Sequence, residues 1–267
     1  MGRTLTLTRS RERFLRRIST RKGREAEAVV LIEGPRALES AFDHGAELLF
    51  AVQMAGPVGQ ASSGLVERLT AHGIEVVDVP APTFRELAST DTPQGILALA
   101  REPKVDLPPG GPTTDRPRIL VLDGVQEPGN VGTLVRTAAA LQLERVLALD
   151  GTADPWSAKA VRASAGLAFA LPLHTLSWRA AHRWLEAAGV PLLVADARGE
   201  DVRAWLSGAP PEGPRAWALL LGNEGAGPRP ESLKEARARL AIPVGPGVES
   251  MNVASAGAIL MWALGTS

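Results

Sequence analysis

Arg136 lies in the segment DGVQEPGNVGTLVRT (123–137), which leaves an apolar run and opens a predicted helix. On that helix Gly132 and Arg136 are four residues apart and share one face. The neighbouring residues are apolar or small, and an unpaired buried charge is costly. Arg136 is therefore expected either to form an internal ion pair or to bind a polar or anionic ligand.

Glu224 lies in a second segment, LLLGNEGAGP (219–228), where an apolar run ends in a glycine-rich loop. Closely spaced glycines permit positive φ angles and let main-chain groups approach a ligand closely. A plain strand-to-helix turn is the alternative, with Pro230 near the first helical position. The carboxylate within the loop favours a functional role.

The third segment, IPVGPGVESMNVASAGAILM (242–261), combines a strand, a tight loop and a helix that opens on small residues. Such residues allow the helix backbone to pack closely against a neighbouring loop or another subunit. Ser250 or Asn252 is placed to cap this helix. Either can also present its polar group to a ligand at the positive helix end.

Several other kinds of site are excluded or disfavoured. The glycines of the first segment match neither the dinucleotide-binding nor the P-loop spacing. The chain has no cysteine, which excludes disulfides, thiol nucleophiles and zinc–thiolate sites. We predict no metal, because ligand spacing with carboxylates is missing around the four histidines, His44, His72, His174 and His182.

The elements that position the three segments alternate apolar strands with helices, which predicts an α/β fold. Strands this apolar are typical of a parallel sheet covered on both faces. A further strand is expected near 168–173. The segment KVDLPPGGPTTDRPR is rich in proline and glycine and indicates a linker. We therefore predict an amino-terminal α/β domain at 1–103, a linker at 104–117 and a second domain at 118–267.

Charge is unevenly distributed along the 267 residues. The whole chain is formally neutral, with 29 basic and 29 acidic side chains. Residues 1–24, however, hold nine basic residues and one acid, Glu12. This run indicates either a contact surface for an RNA backbone or a solvated leader. No apolar stretch resembles a signal peptide or a membrane span, so a soluble cytoplasmic protein with no membrane partner is expected.

Together the three segments resemble the SpoU/TrmH family of RNA ribose 2'-O-methyltransferases. The resemblance rests on GNVGTLVRT, LLGNEGAG and IPVGPGVESMNVASAGA, in that order, and extends from about Pro117 to Gly265. Each motif is weak alone and the three are specific together. STDTPQGILALA (89–100) resembles the end of the family's amino-terminal substrate-binding domain. The resemblance implies that the second domain has a parallel sheet with a deep trefoil knot, an exception to the rule that chains do not knot.

The resemblance also implies a cofactor and an assembly. S-adenosylmethionine is expected among the second and third loops, held by main-chain groups near Gly222, Ile242 and Met251. Met251 stands where the family usually has leucine, a substitution of similar volume. The family acts as a homodimer in which two subunits jointly form each site.

The implied reaction needs a ribose hydroxyl to be oriented and to lose its proton. The hypothesis is that Arg136 carries this step, held by Asn130 and assisted by Glu224, Ser250 and Asn252. Since the pKa of arginine lies above about 12, Arg136 is a poor free base at neutral pH. Binding of the neighbouring phosphate and polarisation of the hydroxyl is the alternative role.

The RNA substrate is less specified than the chemistry. An amino-terminal domain of this length favours large ribosomal RNA over transfer RNA, because folded RNA is recognised through shape and phosphate contacts. A transfer RNA methyltransferase and a non-catalytic RNA-binding protein of the same fold remain open. So does a Rossmann-type methyltransferase with Asp150 as the ribose ligand.

Overall fold

The computed structural model describes residues 8–18, 20–56, 63–208 and 215–265. Its contacts divide the chain into two compact units. The amino-terminal unit contains residues 1–104 and 156–170, and the carboxyl-terminal unit contains 105–155 and 171–267. Over the described ranges, no helix has the length and apolar character needed to cross a membrane.

The helices and strands follow the predicted α/β alternation. Up to residue 104 they are α1 (Arg9–Ile18), α2 (Arg21–Glu27), β1 (Val29–Glu33), α3 (Pro35–Asp43), β2 (Leu48–Met54), α4 (Ser63–Ala71), β3 (Val76–Val79), α5 (Ala81–Leu87) and β4 (Ile96–Arg101). The remainder are β5 (Arg118–Asp123), α6 (Pro128–Ala140), β6 (Arg145–Leu149), α7 (Ala158–Ala163), β7 (Leu173–Leu176), α8 (Trp178–Ala187), β8 (Leu192–Asp201), α9 (Val202–Ser207), β9 (Trp217–Gly222), α10 (Pro230–Glu235), β10 (Ala238–Ala241) and α11 (Val253–Gly265).

The amino-terminal unit is a four-stranded sheet in the order β1-β4-β2-β3. Strand β4 is antiparallel to both β1 and β2, whereas β2 and β3 are parallel. Its core includes Phe50, Phe84 and Leu99, all buried. The open sheet with helices predicted from the apolar alternation is therefore confirmed.

Most of the basic amino-terminal run is helical, and three of its arginines are paired with acids of its own unit. Helix α1 buries Leu15 and Ile18 against the sheet core, so residues 9–18 are not a solvated leader. The ion pairs of this run join Arg11 to Glu75, Arg16 to Glu12 and Glu86, and Arg17 to Glu27. Arg3 lies outside the described residues, and the exposed cations of the run include Arg9, Arg13 and Lys22.

Residues 156–170 pack with the amino-terminal unit although they follow the first two strands of the second one. The buried carboxylate of Glu33 accepts a hydrogen bond from Ser89 N (2.8 Å) and lies 3.6 Å from Arg162 Nη1. The strand expected near 168–173 is wrong: residues 167–169 form a single 3₁₀ turn, and β7 begins at Leu173. Gly166, at φ +82°, starts that turn, and a short apolar run does not by itself distinguish a buried turn from a strand.

The carboxyl-terminal unit is a six-stranded sheet in the order β10-β8-β9-β5-β6-β7, and every pairing is parallel. The strands β5, β6 and β9 are almost entirely buried, as their composition predicts. Helix α11 approaches α6 and β9 closely at Gly257, where a Cβ would lie 2.4 Å from Leu134 Cδ2 and 2.5 Å from Leu221 Cδ1. The close packing predicted from small residues is confirmed there, and the knot stays a prediction.

The proline- and glycine-rich segment predicted as a linker is fastened to the carboxyl-terminal unit. Trp184 Nε1 donates to Pro108 O (2.8 Å). Thr113 N and Thr114 Oγ1 donate to the two oxygens of Glu144, at 3.0 and 2.8 Å. From residue 105 onward the segment therefore belongs to the carboxyl-terminal unit and is held to it by these hydrogen bonds.

Candidate active site

The three predicted functional loops follow β5, β9 and β10 at the carboxyl edge of the parallel sheet, where open α/β sheets bind their ligands. Strands β5 and β9 are adjacent, and β8 separates β9 from β10. The loop after β5 is held by Thr152, which follows β6. Its hydroxyl accepts a hydrogen bond from Gly124 N (3.0 Å) and donates to Leu122 O (2.9 Å). Gly124 has a φ of +74°, which permits the sharp turn after β5.

Asn223 organises the glycine-rich loop after β9. Its Oδ1 accepts hydrogen bonds from Gly225 N (2.9 Å) and Ala226 N (2.8 Å). Its Nδ2 donates to Gly124 O (2.8 Å) and joins this loop to the one after β5. Asn223 was not predicted as a site residue, although an asparagine beside glycines is typical of a turn closed by its own side chain.

Glu224 connects the second motif with the first. Its carboxylate accepts hydrogen bonds from Gln126 N (3.1 Å), Glu127 N (3.4 Å) and Asn130 Nδ2 (3.1 Å). Two opposing effects act on the pKa of Glu224. Partial burial raises the pKa of Glu224, but the hydrogen bonds from Gln126, Asn130 and Glu127, together with one from its own backbone, outweigh burial and lower it. Glu224 is therefore an ionised anchor at neutral pH and a weak base.

Asn252 adds the third motif to this network. Its Nδ2 donates to Asn130 Oδ1 (3.1 Å). Its Oδ1 accepts from Ala254 N (2.9 Å) and Ser255 N (3.2 Å), which caps α11. Of the two predicted caps, Asn252 is therefore the one that the structure uses. Ser250 is exposed and lies outside this network.

Arg136 is placed differently from the other candidates. The buried residues of α6 include Val131, Leu134 and Val135, and Arg136 is exposed. Within the described part of the chain it has no hydrogen bond or ion pair. The internal ion pair considered for it is therefore wrong for the single chain, because its side chain faces solvent rather than the core.

Of the candidate cofactor residues, Gly222 ends β9, Ile242 follows β10, and Met251 lies two residues before α11. Gly222 is buried, and a Cβ there would lie 2.4 Å from Pro228 N, so the main chain folds back directly on this strand end. Ile242 is half-buried and Met251 is 38% exposed. The loop between them also exposes Val244 and Val248. Accessible apolar side chains beside a bare strand end fit a ligand held by main-chain and apolar contacts.

A buried ion pair fixes the glycine-rich loop where it leads into α10. This pair was not predicted from the sequence. Asp123 is 4% exposed at the end of β5, and Arg229 Nε lies 2.8 Å from each of its oxygens. Arg229 also stacks over Trp178, with its Cζ 5.7 Å from the ring centroid. In the sequence this pair is one acid and one arginine far apart in the chain. Such residues are too common to predict a particular ion pair.

No group of three histidine, aspartate or glutamate side chains suited to a metal ion occurs in the ranges that the structure describes. His174 is buried, and its Nε2 lies 3.2 Å from Arg145 Nη1. His182 stacks on Trp178. Both histidines therefore have packing partners inside the unit.

Two family models match the chain. Residues 117–262 match the model of the SpoU rRNA Methylase family, and residues 11–98 match the MRM3-like substrate binding domain. The chain is 34% identical to the Bacillus subtilis 23S rRNA (guanosine(2553)-2'-O)-methyltransferase RlmP, over 72% of this chain and 73% of that protein. It is 27% identical to the human mitochondrial rRNA methyltransferase 3, over 92% of this chain and 69% of that protein.

Among solved structures, an AdoMet-bound rRNA methyltransferase from Sinorhizobium meliloti is similar along nearly the whole chain. Its TM-score is 0.82 at 27% identity, covering 97% of this chain and 96% of that one. The family model spans more than half of the sequence and includes all three loops of the hydrogen-bonded network. The chain therefore belongs to the SpoU rRNA methylase family.

Proposed function

We propose that this protein transfers a methyl group from S-adenosylmethionine to a ribose 2'-hydroxyl of structured RNA. The observation that carries the proposal is the network in which Glu224, Asn130 and Asn252 join the three loops by side-chain hydrogen bonds. A fold kept only for RNA binding has no need to fix these loops to one another. The relatives with named substrates act on ribosomal RNA, so large-subunit ribosomal RNA is the favoured substrate over transfer RNA.

S-adenosylmethionine supplies an electrophilic methyl group on a sulfonium centre. In this chain, main-chain groups near Gly222, Ile242 and Met251 are proposed to hold its adenosine. The backbone at Gly222 and the exposed apolar side chains after β10 suit this role. The AdoMet-bound structural neighbour supports the same cofactor.

The protein's own contribution is to orient the ribose and manage its proton. The exposed guanidinium of Arg136 is proposed to bind the phosphate beside the target ribose and to polarise the hydroxyl. Glu224 has a lowered pKa and accepts hydrogen bonds from two backbone amides and Asn130, so its proposed role is to position Asn130. Ser250, exposed in the third loop, is proposed to contact the RNA beside Asn252.

A second copy of the chain is proposed to complete each site. Helix α11 exposes the large apolar side chains of Ile259 (40%) and Trp262 (60%), whereas its Leu260, Met261 and Leu264 are buried. Arg136 also lacks a partner among the described residues of one chain. Burial of this face in a homodimer would cover the apolar side chains and bring Arg136 to a neighbouring subunit's site. Trp262→Glu is expected to give a monomer in sedimentation experiments.

The amino-terminal unit is proposed to bind the RNA away from the target nucleotide. Its match to a substrate-binding domain supports this role. Because several arginines of the basic run are paired internally, the contact would fall to exposed cations such as Arg9, Arg13 and Lys22. The cytoplasm, where ribosomal RNA is assembled in bacteria, is the proposed location.

The test is methyl transfer from labelled S-adenosylmethionine to total RNA from a strain lacking this protein, followed by mapping of 2'-O-methylated nucleotides. Label at one ribose of ribosomal RNA is expected. Label in transfer RNA would mean that transfer RNA is the substrate, and the proposed reaction would stand. Cofactor binding without label in any RNA would overturn the proposed reaction and favour a non-catalytic RNA-binding protein.

A further inference from the structure

Strand β8 contains a long bulge beside the edge strand β10. Arg239 is opposite Val194, and the next residue, Leu240, is opposite Glu200. Residues 195–199 therefore have no partner on β10 and project from the ladder. The chain returns at Gly199, where a Cβ would lie 2.4 Å from Arg239 O. Only glycine permits this close approach, so the bulge has a defined geometry.

The bulge places one buried carboxylate between two exposed guanidinium groups. Asp196 is 7% exposed, and its Oδ1 accepts a hydrogen bond from Arg198 N (3.0 Å). Arg198 Nε lies 3.6 Å from Oδ1, and Arg239 Nη1 lies 3.8 Å from Oδ2. The side chains of Arg198 and Arg239 are 83% and 47% exposed.

This arrangement leaves both cations incompletely satisfied. Both distances allow attraction but are too long for hydrogen bonds. Asp196 Oδ2 is buried and accepts no hydrogen bond. A buried oxygen without a donor destabilises the fold, so a function is a better explanation for it. Exposed ion pairs contribute little to stability, so stability is a poor reason. The two guanidinium groups and the one carboxylate together have a net charge of +1.

The bulge also lies beside the candidate active site. Val194, the last residue before the bulge, is opposite Leu220 on β9, two residues before Gly222 at the end of that strand. On the other side, β10 ends at Ala241, directly before Ile242. The nearby Arg203 is already held by Asp201 through bonds of 2.8 and 3.1 Å. Glu200, also exposed, ends the bulge opposite Leu240.

We propose that Arg198 and Arg239, oriented by Asp196, bind a phosphate of the RNA strand next to the target nucleotide. Each guanidinium offers planar N–H donors that match phosphate oxygens, and these donors face solvent. The buried carboxylate attracts both groups without occupying their donors. The carboxyl-terminal unit thus contacts the RNA backbone at a second place besides Arg136, and Asp196 is a positioning residue. This inference rests on the proposed RNA substrate.

The experiment measures the affinity of the full chain for an unmodified 23S ribosomal RNA transcript over a range of KCl concentrations. Each phosphate contact contributes about one unit to the slope of log affinity against log salt. Because the two arginines share one phosphate, the double variant Arg198→Gln/Arg239→Gln is expected to lower the slope by about one. Each single variant is expected to weaken binding with a smaller change of slope. Arg239→Lys is expected to keep the slope, because it keeps the charge, and to bind less tightly than the native chain because it lacks the planar fork.

Controls separate this contact from folding and from the cofactor. Arg203→Gln removes an exposed arginine already paired with Asp201 and is expected to leave RNA affinity unchanged. Asp196→Asn is expected to weaken RNA binding while S-adenosylmethionine affinity, measured by calorimetry, stays at the native value. A double arginine variant with native affinity and native salt slope would overturn the inference. A native chain that binds no RNA would instead refute the proposed function.

Discussion

Asn130 Nδ2 lies 3.1 Å from Glu224 Oε1, although the two residues are 94 positions apart in the sequence. A carboxylate only accepts hydrogen bonds, so this contact fixes which end of the Asn130 amide faces Glu224. The opposite end, Oδ1, is then turned toward Asn252 Nδ2. Asn252 in turn presents its own Oδ1 to the first amides of α11. One ionised group thus orders the polar groups of three loops.

Replacing Asn130 by aspartate should break this order. The new carboxylate could still accept a hydrogen bond from Asn252, but it would have no donor for Glu224, and two carboxylates would face each other. Loss of a hydrogen bond to a charged group costs about 1.5–3 kcal/mol. We expect methyl transfer to fall roughly 10- to 100-fold by that measure. Gln142→Glu, which adds the same charge at an exposed position of this unit, should keep native activity in the same assay.

Replacing Arg136 by alanine should abolish methyl transfer and leave cofactor affinity nearly native, because Arg136 is exposed and outside the Gly222 and Met251 loops. Single-turnover rates and calorimetric titration with S-adenosylmethionine measure the two properties separately. Arg183→Ala, an exposed arginine on α8, is the matched control and should be fully active. Native turnover of the Arg136 variant would remove this residue from the mechanism.

Replacing Gly222 by alanine should impair the cofactor loop. The new Cβ would meet Pro228 N at 2.4 Å and Gly227 C at 2.6 Å, and both are backbone atoms that cannot rotate away. Overpacking of this kind costs about 1–3 kcal/mol, so cofactor affinity and thermal stability should both fall. Gly225→Ala meets only Asn223 Oδ1, at 3.6 Å, and should behave as the native chain. Equal melting temperatures for the two variants would contradict this account.

Removing one partner of the Asp123–Arg229 pair should destabilise the carboxyl-terminal unit strongly. Arg229→Met leaves the buried carboxylate of Asp123 without its cation, which costs about 3–5 kcal/mol. The exposed pair of Glu47 and Arg101 provides the comparison, and Arg101→Met should cost about 0–1 kcal/mol. Urea unfolding monitored by tryptophan fluorescence measures the Arg229 variant, and circular dichroism measures both. Similar losses for the two variants would mean that the buried pair is not specially stabilising.

His174 should make the free energy of unfolding depend on pH. Burial, and then the positive charge of Arg145, lower the pKa of His174 below its ordinary 6.5. Below about 6.5 the unfolded chain therefore binds a proton that the folded chain does not, and stability falls as the pH decreases toward the folded-state pKa. His174→Gln keeps an acceptor for Arg145 and should flatten this dependence. His44→Gln, at an exposed position, should retain the native pH profile in the same unfolding measurements.

Much of the fold could be predicted because its determinants are local. Apolar strands with both faces buried, such as β5 and β9, are recognisable from composition. A polar cap for α11, left open between Ser250 and Asn252, and close packing at its small residues follow from residue type within a short segment. The strand expected near 168–173 failed because its apolar residues form a turn that packs with the amino-terminal unit. A short apolar run contains no information about which core it joins.

The sequence by itself determined the α/β class, the three chemistry-bearing segments and the residues Asn130, Glu224 and Asn252, because each depends on residue type and short spacing. Only the tertiary structure decided how those residues connect, since hydrogen bonds across 94 and 122 positions depend on strand order. The same holds for the pairing of the basic run, the Asp123–Arg229 pair and the exposure of Arg136. The sequence determines the charge of a side chain, but tertiary packing determines its neighbours and its exposure to water.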